Sequence, residues 1–165
     1  MKGVDIMRTV IWVTLVAFAA SYGIFAYTTL DRRSDEAQVT SLFSQAADAI
    51  QKRDLSGAIG CVSANYKDPS GLNYDRLRVL TTQALRMEQK FNVDYKLDNV
   101  RISGDTASAG VDLTIKGADP NTIIYERTLT VTLTKESGRH ALIIPVKVWR
   151  VTSIDNLGLA PEEGL

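Results

Sequence analysis

The sequence predicts an α+β domain in which three helices pack on an antiparallel sheet of about four strands, carried behind one transmembrane helix. Three observations predict it. An uncharged apolar stretch lies near the start of the chain; apolar residues then recur every three or four positions as far as Met87; beyond Lys90 the repeat shortens to two.

After a short N-terminal tail (1–8), residues 9–30 read TVIWVTLVAFAASYGIFAYTTL, 22 positions without a charge. At ~1.5 Å per residue such a helix reaches ~33 Å, enough for a hydrocarbon core of ~30 Å. Trp12 and Tyr27 lie near its two ends, where rings with a polar handle suit the interface. Phe18 sits mid-span, and Ala19, Ala20 and Gly23 permit close approach of a partner helix. The competing reading is a cleaved signal, with Lys2 and Arg8 as its basic region and Ala17-Phe18-Ala19 as a small-x-small site. Apolar character continues past that site through Ile24, Phe25, Ala26 and Tyr27, as a retained anchor requires. Lys2 and Arg8 balance Arg32 and Arg33 across the span, so the N-terminal amine tips the orientation towards a cytoplasmic N-terminus and an extracytoplasmic, periplasmic domain.

Residues 31–36, DRRSDE, form a charged juxtamembrane turn in which Ser34 is placed to cap a helix. Val39, Leu42, Phe43, Ala46 and Ile50 trace its apolar stripe, and Lys52-Arg53 suit its C-terminal end. Asp54 caps a shorter helix through Leu55, Ala58, Ile59 and Val62, with Cys61 inside it. Asn65 to Gly71 is a turn or short edge strand, since Pro69 has no amide donor. Asn73 caps a third helix whose stripe is Leu77, Leu80, Ala84 and Met87, although Leu85 disturbs the pattern.

Four strands follow. The first occupies 91–102 and ends at a Gly104-Asp105 turn; the second, 106–115, alternates through Ala107, Ala109, Val111, Leu113 and Ile115. In the third, Ile123, Tyr125, Leu129, Val131 and Leu133 face one way and Thr128, Thr130, Thr132 and Thr134 the other. Ser137-Gly138 is read as the next turn, and the last strand covers about 141–154, with Pro145 favouring an edge or a bulge. The domain is thus assigned to 37–155, with a C-terminal tail at 156–165.

Composition excludes several functions. Nineteen Lys and Arg face nineteen Asp and Glu, with no basic run, so a phosphate backbone is not the expected partner. One cysteine and one histidine preclude an internal disulfide or a His/Cys metal cluster. No cofactor motif occurs: there is no glycine-rich phosphate loop, HExxH helix, CxxC pair or GxSxG elbow. Cys61 has small apolar helix companions and reads as packing. His140, after the expected turn, reads as a surface residue. Trp149 and Arg150 point to opposite sides of the last strand, so one lines the core or a cavity. Arg127 interrupts the apolar parity between Tyr125 and Leu129, and on an internal face it needs a partner such as Asp112 or a bound anion.

From Asp35 to Asp155 the sequence resembles the NTF2-like superfamily, with its SnoaL-like and ketosteroid-isomerase-like cone domains. The resemblance rests on DEAQVTSLFSQAADAIQKRDLSGAIGCVSANYKDPSG, the helix NYDRLRVLTTQAL, and the strands LDNVRISGDTASAGVDLTI and VWRVTSID. A single membrane helix ahead of such a domain is also similar to VirB8-like secretion components. The resemblance implies a curved meander, covered by helices around a conical cavity. It places Asp68, two residues after Tyr66, where catalytic relatives put a carboxylate base; the alternative is a turn hydrogen bond before Pro69. Oxyanion donors of the isomerase kind would come from tyrosine and aspartic acid, residue types present at Tyr74, Tyr95, Asp112 and Tyr125. With Arg127 and Trp149, these complete the cavity candidates. The expected function is a membrane-tethered, noncatalytic interaction or assembly subunit, in contact with lipid and with a membrane-protein partner or a second copy. An apolar small-molecule binder and an acid–base isomerase or hydratase are the alternatives.

Overall fold

The computed structural model describes residues 2–28, 31–87, 91–119, 121–140 and 144–158. The element order is α1 (Lys2–Thr28), α2 (Asp35–Gln51), α3 (Leu55–Gly60), α4 (Tyr74–Arg86), β1 (Asn92–Ser103), β2 (Thr106–Lys116), β3 (Ile123–His140) and β4 (Ile144–Asp155). The chain divides into two compact units, one of Met1–Arg32 with Ser137–Lys147, the other of Arg33–Glu136 with Val148–Leu165.

In the first unit α1 is a single helix that begins at Lys2, within the segment read as a tail. It is long and apolar enough to cross a membrane over Ile11–Thr28. Ala26 is fully buried and Tyr22 and Gly23 are half-buried, which marks one short face near its C-terminal end. Elsewhere large apolar side chains are open, with Trp12 67% and Phe18 73% exposed. The Arg32 guanidinium lies over the Tyr27 ring, 4.1 Å from its centre.

The second unit is the α+β domain. Its sheet is antiparallel in the order β1-β2-β3-β4, open at both ends. The caps read from sequence form at two helices: Ser34 Oγ accepts from Ala37 N at 3.3 Å, and Asn73 Oδ1 accepts from Arg76 N at 3.0 Å. Asp54 occupies the position before α3 but makes no side-chain cap. The α2 stripe buries Val39, Leu42 and Ala49, with Phe43, Ala46 and Ile50 half-buried beside them. Val39 and Leu42, with Phe43 packed against them, meet Val111, Leu129, Val131, Leu133, Trp149 and Val151 from the sheet in one core.

Three further readings change. Helix α3 ends at Gly60, so Cys61 is its C-cap and not inside it. The buried residues of α4 are Leu77 and Leu85, with Thr81 half-buried between them, rather than Leu77, Leu80, Ala84 and Met87. The helix carries two apolar stripes, and the core takes the one spaced by four from Leu77. Ser137-Gly138 is not a turn: β3 runs on through it to His140, because extended pairing accommodates glycine where the ladder continues. The connection then falls on residues 141–143, outside the described residues. Pro145 sits in β4, the last strand of the order, where a missing donor costs no ladder bond on the open side. At the other edge β1 slips register between Asp98 and Arg101, with Asn99 left-handed at φ 51°, a bulge that blunts edge pairing.

Gly57 lets α3 approach α2 closely. A β-carbon there would lie 2.9 Å from Ala49 Cβ and 2.6 Å from Asp54 Oδ2. Gly57→Ala is therefore expected to lower domain stability by roughly 1–3 kcal/mol in chemical denaturation, the usual cost of overpacking. Gly60→Ala, with open space at its β-carbon, is the matched control.

Candidate functional site

The segment after α3 carries Tyr66 and Asp68. It runs beside β4, with Ser63 N donating to Val151 O at 2.8 Å and Val151 N donating to Cys61 O at 3.0 Å. Lys67 pairs with Asn73, so residues 67–73 close a tight loop. Asp68 organises this loop from within. Its Oδ1 accepts from Ser70 Oγ at 2.7 Å and from Leu72 N at 2.8 Å, and its Oδ2 accepts from the Tyr66 hydroxyl at 3.3 Å. Tyr66 and Asp68 are both buried. Burial, and then the Asp68 charge and hydrogen bond, push the Tyr66 phenol well above its usual range, so it stays a neutral donor.

Polar groups also lie in and beside the core that holds Trp149. Lys135 Nζ lies 5.1 Å from the centre of the indole ring and forms a 2.8 Å ion pair with Asp35. The buried Ser63 hydroxyl donates to Glu136 and accepts from Asn65 N. Among the described residues Trp149 Nε1 is buried without a hydrogen-bond partner. Sequence periodicity could not assemble these groups, since they lie on four separate segments: α2, the stretch after α3, β3 and β4.

Between α2, α3, α4 and the facing side of the sheet lies a cavity of about 240 Å³. Its wall is apolar apart from Thr81, Tyr95 and Cys61. The Thr81 hydroxyl donates to Leu77 O, and Cys61 Sγ to Gly57 O. Burial raises the Cys61 pKa, opposed by the Arg150 charge, so the thiol stays protonated at neutral pH. Pockets for drug-sized ligands begin at about 300 Å³, whereas a dry cavity of about 150 Å³ holds benzene. This one suits a small apolar body.

Of the candidates read from sequence, Tyr95 lines the cavity. Tyr66 and Asp68 belong to the loop just described, Trp149 to the core cluster, and half-buried Tyr74 to the first turn of α4. Asp112 is exposed on the far side of the sheet, where it accepts from Thr128 Oγ1 at 2.8 Å and does not meet Arg127. Arg127 pairs with Leu113 across the ladder. His140 ends β3, and its side chain lies outside the described residues. Among the described residues no three His, Cys, Asp or Glu side chains form a metal-binding group.

The C-terminal segment contributes a wall residue that sequence reading placed in a tail. Leu157 lines the cavity, and its carbonyl accepts from the Tyr125 hydroxyl at 2.7 Å. Asn156 at φ 65° and Gly158 at φ 68° both adopt the left-handed region on either side of Leu157. Asn-x-Gly was the available signal, since both residue types tolerate the left-handed region.

No family model matches the sequence, and no curated protein does. Solved structures do share the fold. A cystatin-like-fold domain of unknown function from Nostoc punctiforme is 14% identical, with TM-score 0.58, covering 75% of this chain and 76% of that one. An NTF2-like protein from Pseudomonas putida is 15% identical at TM-score 0.55, covering 73% and 85%. Aln2 from a Streptomyces species is 16% identical at TM-score 0.55, covering 75% and 91%. At these identities the likeness is one of architecture, and the domain has an NTF2-like, cystatin-like cone fold.

Proposed function

We propose that this chain is a membrane-tethered, noncatalytic interaction or assembly subunit, held by one spanning helix with the domain on the extracytoplasmic side. The observation that carries this reading is the open apolar surface of α1, where Ile11, Trp12, Val13, Leu15, Val16 and Phe18 are all more than half exposed. Such a surface in water far exceeds what a soluble monomer tolerates, whereas lipid covers it without cost. Tyr27 under Arg32 suits the boundary between hydrocarbon and headgroups. In the domain, Asp68 is committed to loop geometry and Asp112 to the outer sheet face, which supports a role in contact rather than turnover. Tethering also raises the effective concentration of the domain at a membrane partner. Purification in mild detergent is expected to retain a stoichiometric membrane protein or a second copy. A strictly monomeric chain without a partner contradicts the reading.

The cavity favours a second reading, in which the domain binds an apolar small molecule. Its volume and nearly unbroken apolar wall support this.

A further inference from the structure

We infer that the cavity takes a compact amphiphile with one carboxylate, its apolar body enclosed between helices and sheet and its charge held at the rim by Arg127. This rests on the small-molecule reading above and specifies the ligand that reading leaves open.

The wall sets the first condition. It contains no charged side chain, so an ionised group inside would lose its hydration without compensation. Any charge on the ligand must therefore sit at the mouth. The wall also sets the length, because 240 Å³ accommodates about eight water-sized groups.

Arg127 supplies the second condition. It lies in β3 between Tyr125 and Leu129, on the face that Leu129 presents to the cavity, and opposite Leu113, which is also a wall residue. Its side chain is exposed, and it forms no ion pair among the described residues. The acids that flank it in the ladder, Glu126 and Asp112, have the opposite parity and lie on the other face, where Asp112 accepts from Thr128 Oγ1. The guanidinium instead approaches the C-terminal turn, where a β-carbon on Gly158 would lie 3.4 Å from Nε. Gly158 follows Leu157, another wall residue, so the cation stands at the border of the apolar space. A planar guanidinium matches a carboxylate, and a cation with no ion pair among the described residues, beside an apolar wall, concentrates anions there.

Octanoate and 1-octanol, equal in chain length, separate body from head. Cys61 is the only cysteine and lines the cavity, so protection from N-ethylmaleimide, followed by intact mass, reports occupancy. Full-length protein in phosphatidylcholine nanodiscs is expected to be protected by both compounds. Arg127→Gln should weaken octanoate about three- to tenfold and octanol less than twofold. Arg127→Lys should recover part of the octanoate loss, and salt should weaken octanoate on the native chain but not on Arg127→Gln. Equal protection by both compounds, unchanged in Arg127→Gln, overturns the assignment of Arg127 while leaving the apolar site intact. Protection by neither compound overturns the small-molecule reading and this inference together.

Discussion

Leu15→Arg/Phe18→Arg is expected to move the protein from the membrane fraction to the soluble or degraded fraction, while the domain's own core is untouched. Both residues lie near the middle of the apolar run and are open to the surroundings, Phe18 at 73% exposure. An arginine near the centre of a spanning helix costs about 2.5–3.5 kcal/mol on the insertion scale, so two cost roughly 5–7 kcal/mol. Each 1.4 kcal/mol is a factor of ten, and the pair therefore lowers insertion by more than about a thousandfold. Phe18→Leu, apolar and close in bulk, is expected to fractionate like the native chain. Fractionation followed by immunoblotting checks both. Retention of the double arginine variant in the membrane would place the attachment elsewhere.

The second large effect concerns Asp68. Asp68→Ala strips the partner from Leu72 N, Ser70 Oγ and the Tyr66 hydroxyl at once, at the buried base of an otherwise exposed loop. Hydrogen bonds to a charged acceptor contribute about 1.5–3 kcal/mol, and orphaned donors add their own cost. A loss of about 2–4 kcal/mol and a fall in Tm on the order of 10 °C are expected. Asp68→Asn keeps an oxygen for the Leu72 amide and should lose less than half as much. The pair of variants also separates loop from chemistry. A carboxylate acting as a base loses its function in Asp68→Asn while the fold survives, whereas a loop residue shows graded stability and no selective loss. Thermal unfolding of both variants, with ligand occupancy measured alongside, reads the difference.

The fold was legible because its signals are periodic. The α2 stripe, the Ser34 and Asn73 caps and the alternation of β2 and β3 each follow from spacing that the core then uses. Spacing fails where two answers satisfy it. Leu80 with Met87, and Leu77 with Leu85, are both helical stripes, and the partner surface decides between them. Ser137-Gly138 carries a turn composition, yet β3 runs through it.

The cavity was less legible than the fold, since parity gives the face of a strand and not the depth along it. Tyr95 falls at the cavity, whereas Asp112, on the second strand, has the opposite parity and faces outward. Asn156 and Gly158 signalled a turn around Leu157, but its place at the wall is fixed by a distant hydroxyl, Tyr125. Nothing within ten residues of Leu157 encodes that bond.

The proposed location and partners both depend on α1 staying attached and sitting in lipid. Alkaline extraction of native membranes, followed by intact mass of the protein in pellet and supernatant, tests this most directly. The expected result is a pelleted chain that still carries residues 9–30. A mature form beginning after Ala19 and released into the supernatant would contradict it.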